Sequence, residues 1–202
     1  MSFHPRVMAR PLWAAFRALL VLTVITGVIY PAVITGVAQA AFSDRANGSM
    51  VEADGREVGS ELIGQTWNTE DGDPDPRWFQ PRPSNSGYDP NATGSGQLGA
   101  SDPTLVETVT EARRQVAAFN GVAEDEVPQD AVTGSGSAID PHISPDYAEI
   151  QVARVAEANG LPGERVAALV DDHTEGRDLG FLGNERVNVL TLNLALRDLA
   201  RG

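Results

Sequence analysis

The chain of 202 residues contains no cysteine and no lysine; all 15 of its basic residues are arginine. Without cysteine neither a disulfide framework nor thiol chemistry is open to it, so stability has to come from packing. Without lysine a phosphate-cradling P-loop cannot be completed, because a lysine after the last glycine must reach the β- and γ-phosphates. The glycine-rich runs Thr93-Gly94-Ser95-Gly96-Gln97-Leu98-Gly99 and Thr133-Gly134-Ser135-Gly136-Ser137 are therefore read as turns. The elbow pattern GxSxG is missing too, which leaves a serine hydrolase without its motif. A further absence is of negative charge: none of the 28 acids lies before Asp44.

What the N-terminal region has instead is apolar length. Between Arg17 and Asp44 stand 26 residues without a charge, and Leu19 to Ile25 is almost wholly aliphatic. As a helix rising about 1.5 Å per residue, this run is roughly 39 Å long against a hydrocarbon core of about 30 Å. Residues 12–42 are predicted to cross a membrane, behind a tail of residues 1–11. His4, Arg6, Arg10 and Arg17 precede the charge-free run with no acid among them, which predicts a cytoplasmic N-terminus and an extracytoplasmic segment 43–202. Ala38-Gln39-Ala40 has the small-x-small form of a signal-peptide cleavage site, but the apolar run is about twice the usual length of such a core, which favours a retained anchor. Pro31 predicts a kink or a frayed end. Gly27 and Gly36 either admit a neighbouring helix or reflect the ordinary glycine content of membrane helices.

The segment from Asp44 onward holds 12 arginines and all 28 acids, 12 minus 28 or −16. Such a surface repels nucleic acid and attracts cations, so no DNA or RNA partner is expected. Lineage or a salty habitat accounts for it more readily than a selected role in gathering ions. The length suits a single domain with its own core. Asp54-Gly55 between two short β-forming runs predicts a hairpin, continued in strand-like fashion by Leu62 to Trp67. Residues 68–101 are rich in Pro, Gly, Asp, Asn and Ser, with Trp78-Phe79 as the only large apolar anchor. That pair either plugs the loop onto the core or marks a contact surface. Helices are predicted from Asp102-Pro103 to Asn120-Gly121, from Ser144-Pro145 to Asn159-Gly160, from Pro162 through Val170, and from about Val187 to Leu199. Strands early and helices late give an α+β domain after one transmembrane helix.

His142 and His173, each close to aspartates, could in principle meet as metal ligands. In so acidic a chain the pattern carries little information, and no metal site is assigned. His142 in its proline-flanked turn is expected to be a structural hydrogen-bonding residue. No spacing of acids singles out a general acid and base, so no catalytic residue is assigned.

Three stretches carry a family likeness. Gln80-Pro81-Arg82-Pro83-Ser84 with Ser95-Gly96-Gln97-Leu98-Gly99 and Ser101-Asp102-Pro103 resembles the loop of the KdpC subunits of potassium-importing Kdp ATPases. The run Val132 to Pro145, and the tail from Thr174 through Phe181-Leu182-Gly183 to Asn193-Leu194-Ala195-Leu196, resemble that family as well. Departures are Gly134, Gly96-Gln97 and Asn184-Glu185. The resemblance implies an accessory, non-catalytic subunit of an ATP-driven pump, consistent with the absence of the aspartyl-phosphorylation sequence DKTGT. It implies partners: a channel-like KdpA-like subunit, an ATP-hydrolysing KdpB-like subunit and a small single-span KdpF-like subunit, besides membrane lipid. ATP, potassium and magnesium would be used by the complex, with no cofactor of the chain's own. The family is also described as a catalytic chaperone raising ATP affinity, which points to Gln151 as a nucleotide contact, although an extracytoplasmic domain faces away from ATP. Trp78, Arg82, Ser84, Ser135, His142 and Arg177 are the candidate partner contacts. An anchored binding module for a small ligand or envelope component is the alternative.

Overall fold

The computed structural model describes residues 5–96 and 98–202; His4 and Gln97, which enter the readings above, lie outside them. Residues 1–49 and 50–202 form separate compact units.

In the first unit, α1 (Pro5–Val24) and α2 (Tyr30–Ala41) are joined by a π-helical turn, Ile25–Ile29, and followed by the single turn α3 (Ser43–Ala46). Ala9–Ala41 forms a 33-residue helical stretch with no buried residue, and the most apolar 18-residue window within it has a mean hydropathy of 2.2. Among the described residues it is the one helix long and apolar enough to cross a membrane. The distortion expected at Pro31 falls one turn earlier, where the Tyr30 N–H reaches back to the carbonyl of Ile25. The widened turn gives the proline ring room that a regular α-turn denies it, so the backbone stays helical through Ile29 and Tyr30 rather than fraying. The Thr26 hydroxyl donates to the Leu22 carbonyl at 2.7 Å, so this polar side chain is satisfied inside the helix.

The second unit opens with the antiparallel hairpin β1 (Met50–Ala53) and β2 (Arg56–Ser60). Asp54 and Gly55 both take positive φ, 51° and 73°, as the tight turn requires. Leu62 to Trp67 joins no named strand. It is held by single bonds instead: the Gly64 N–H to the Ile139 carbonyl at 2.9 Å and the Gln65 amide to the Val58 carbonyl at 2.8 Å. Gly64 is a close-approach position, since a Cβ there would lie 2.3 Å from the Tyr88 ring.

Helix α4 (Pro103–Asn120) runs as predicted, with the Asp102 carboxylate accepting from the Thr104 N–H and Gly121 in the left-handed conformation at its end. The predicted helix after Ser144 is instead two, α5 (Pro145–Glu149) and α6 (Val152–Asn159), preceded by β3 (His142–Ile143). The break falls at Ile150-Gln151, where the Gln151 side chain is committed to bonds described below. Then come α7 (Gly163–Asp172), β4 (Thr174–Glu175), β5 (Arg186–Asn188) and α8 (Val189–Arg201). The three short strands form an antiparallel sheet in the order β3-β5-β4. Strands of two or three residues are too short to show an alternating pattern. Because Val187 and Asn188 belong to β5, the last helix starts later than predicted, with the Asn188 side chain accepting from the N–H groups of Leu190 and Thr191. The core gathers Phe79, Tyr147, Val155, Val166, Val187, Leu192 and Leu196. The fold is α+β, with one N-terminal apolar helix.

Candidate functional site

Among the described residues of 68–101 there is no named helix or strand, yet the middle of this segment is buried: Asp75, Phe79, Gln80 and Tyr88 are all covered. Buried backbone polar groups must find partners, and here side chains from distant helices supply them. Asn193 on α8 accepts from the Phe79 N–H at 2.9 Å and donates to the Phe79 carbonyl at 3.0 Å. Gln151 does the same for the next residue, accepting from the Gln80 N–H at 2.6 Å and donating to its carbonyl at 3.2 Å. Two side-chain amides thus act as a surrogate strand beside an irregular segment.

Arg154 completes this clasp. Its guanidinium donates to the carbonyls of Pro76 and Trp78, to Asn120 Oδ1 and to Gln151 Oε1, at 2.6 to 3.0 Å. It also lies 4.4 Å from the Phe119 ring centroid, a cation–π distance. Burial pushes its pKa down to about 10, which still leaves it charged at neutral pH. Gln80 returns the contact, its amide donating to the carbonyls of Trp67 and Asp75. Trp78 is half-buried, its ring 5.2 Å from that of Trp67. Of the two readings of Trp78-Phe79, the plug onto the core is what the structure shows. Tyr88 is a second aromatic anchor that composition did not single out.

A second seam joins residues 82–94 to 133–142. Arg82 donates to the carbonyls of Thr133 and Gly134 and stands 3.5 Å from Asp140. The Ser84 hydroxyl donates to the Ala138 carbonyl at 2.6 Å and accepts from the N–H groups of Ser86 and Tyr88. Ser135 is buried and accepts from the Ala138 N–H. Gly134 packs so closely on the Pro83 carbonyl that a Cβ would meet it at 3.0 Å. His142 Nδ1 donates to Asp140 at 3.1 Å. Arg82, Asp140 and His142 line a polar cleft of about 550 Å³ together with Asp130 and Arg186. His173 turns away to the Leu169 carbonyl of its own helix, and among the described residues no three metal-ligating side chains converge.

Of the residues singled out from sequence, Arg82, Ser84, Ser135 and His142 meet in the seam, and Trp78 and Gln151 belong to the clasp. Arg177 stands apart on an exposed turn. Gln151 has no exposed surface. Sequence reading missed Asn193 and Arg154; a polar residue at a core-facing position of an amphipathic helix was the available signal.

The bond from His142, aided by Arg82, holds the Asp140 carboxyl below the ordinary carboxylate range. A depressed carboxylate contributes stability that is complete above its unfolded value, about 3.9, and is lost as pH falls through the folded value. Thermal unfolding of the full chain in detergent should therefore weaken as pH drops below about 4, and Asp140→Asn should flatten that acid limb. A variant with an unchanged pH profile would remove Asp140 from the account.

The family model described as K+-transporting ATPase, c chain, matches residues 12–198. The chain belongs to the KdpC family. Among similar curated proteins, a potassium-transporting ATPase KdpC subunit of Streptomyces coelicolor is 50% identical, covering 95% of this chain and 93% of that one. KdpC subunits of Kineococcus radiotolerans and Mycobacterium tuberculosis are 51% and 45% identical, over 90% and 94% of this chain and 90% and 98% of their own lengths. The match takes in both the clasp and the seam, so the parts that order the long segment in this chain lie within the family's own extent.

Proposed function

We propose that the chain is the accessory, non-catalytic subunit of an ATP-driven potassium import pump, a membrane-anchored protein whose N-terminus is cytoplasmic and whose α+β domain lies on the outer side. The observation that carries this reading is the family match from residue 12 to 198, with relatives named as subunits of such a pump aligned over nearly their whole lengths. The apolar helix supports the anchor, and the arginines before it support the orientation. Its partners are a KdpA-like potassium-translocating subunit, a KdpB-like ATP-hydrolysing subunit, a KdpF-like single-span subunit and lipid. ATP, magnesium and potassium are handled by those partners. The chain acts by stabilising the assembly and assisting the hydrolysing subunit from outside.

In this reading Gln151 organises the domain. Its amide is buried and fully engaged with Gln80, Tyr147 and Arg154, so a nucleotide could reach it only if the clasp opened. The candidate contacts with partners are then the half-buried Arg82 and His142 that line the cleft of the seam, with Trp78 and Ser84 shaping the loop behind them, Ser135 supporting it, and Arg177 on a separate surface.

The test uses sealed membranes from cells with and without the chain. Potassium-stimulated ATP hydrolysis should require the chain, and protease acting from the outer side should cleave the domain and spare the N-terminus. Undiminished ATPase activity without the chain would refute the accessory role; a protected domain would refute the orientation.

A further inference from the structure

Between β4 and β5 the chain closes a small hairpin of its own. The Asp178 and Leu182 N–H groups each donate to the other's carbonyl at 2.9 Å, and Gly180 and Gly183 take positive φ. At its tip Leu179 is 84% exposed and Phe181 69%, with Leu182 beside them. Leu179 itself sits in the left-handed region, φ 53°, which its Cβ disfavours. Large apolar side chains in water and a strained non-glycine backbone are both unfavourable, and neither is offset by burial within the domain. A defined, strained, apolar tip of this kind fits a partner's cavity.

Charge separates the two surfaces that a membrane-tethered domain could meet. The tip Leu179–Gly183 is uncharged; around it stand Glu175, Asp178 and Glu185 against Arg177 and Arg186, one acid in excess. Arg186 is already engaged by Glu175 at 2.8 Å and Asp178 at 3.6 Å. On a segment of net charge −16, this neighbourhood is repelled by anionic headgroups and complements a basic protein surface.

We propose that Leu179–Leu182 is a preformed plug that seats in an apolar, basic-rimmed pocket on another subunit of the pump, an inference that rests on the assembly reading above. Preorganisation lowers the ordering cost of docking, and a buried aromatic is the residue type that most often dominates an interface.

The experiment places a benzophenone amino acid at position 181 of the full chain, irradiates native membranes, and measures recovery of the Leu179→Ser/Phe181→Ser variant with the complex. The expected results are a covalent adduct to a second protein of the pump, and a roughly tenfold or greater loss of the variant from the complex with unchanged melting temperature, since both side chains are exposed. Adducts to lipid alone, or wild-type recovery of the variant, overturn the plug while leaving the assembly reading intact. A wild-type chain recovered without partners overturns both.

Discussion

Gln151→Leu is expected to cost the domain of residues 50–202 roughly 4 kcal/mol of unfolding free energy, at about 1 kcal/mol for each buried polar group left without its partner. The groups are the N–H and carbonyl of Gln80, the Tyr147 carbonyl and one N–H of Arg154. For a domain whose total stability is on the order of 5–15 kcal/mol, that is a large share. Arg154→Met should be comparably damaging, because four acceptors converge on that guanidinium. The apolar replacement does not rescue either site, since three of the four groups orphaned at Gln151 and two of the four at Arg154 are backbone groups that cannot be removed. Asn193→Leu should act on the neighbouring residue, Phe79, and the double variant with Gln151→Leu should cost less than the sum, because once the segment is released the second amide has nothing left to hold. Denaturant unfolding of the full chain in detergent, followed by tryptophan fluorescence with Trp67 and Trp78 beside the clasp, checks all three. A Gln151→Leu variant within about 1 kcal/mol of wild type would show that the clasp contributes little.

A stretch of 34 residues poor in apolar side chains, residues 68–101, reads from composition as one that needs a partner to become ordered. The order comes from inside the domain, through residues that lie 71 to 114 positions away along the chain. No local pattern announces such pairing, because it depends on how the α5–α6 junction and α8 meet the segment. Local chemistry was legible where it is self-contained. Asp54-Gly55 turned, Asp102-Pro103 and Ser144-Pro145 opened helices, and Asn120-Gly121 and Asn159-Gly160 closed them, each through a side-chain cap or a glycine φ that neighbours alone decide. The β3-β5-β4 sheet was not legible, its strands being shorter than one alternation. At the seam, Arg82, Ser84, Ser135 and His142 were legible as a group through family likeness, but their mutual geometry was not. The same hydrogen bonds that interlock residues 82–94 with 133–142 make these residues support for the domain's surface as well as candidates for contact.

The second large effect concerns assembly. A 33-residue helix without a buried residue and an apolar tip at Leu179, Phe181 and Leu182 leave this chain with two surfaces that solvent does not suit. A subunit satisfies both by docking, the helix among partner helices and the tip in a protein pocket. A free-standing anchored module would cover the helix with lipid alone. Affinity purification of the tagged full-length chain from mild-detergent extracts of native membranes separates these cases most directly. The account predicts that the chain is recovered in a fixed ratio with large polytopic membrane proteins, and that the recovered material hydrolyses ATP in a potassium-stimulated manner. Recovery of the chain alone, without associated ATPase activity, would contradict it.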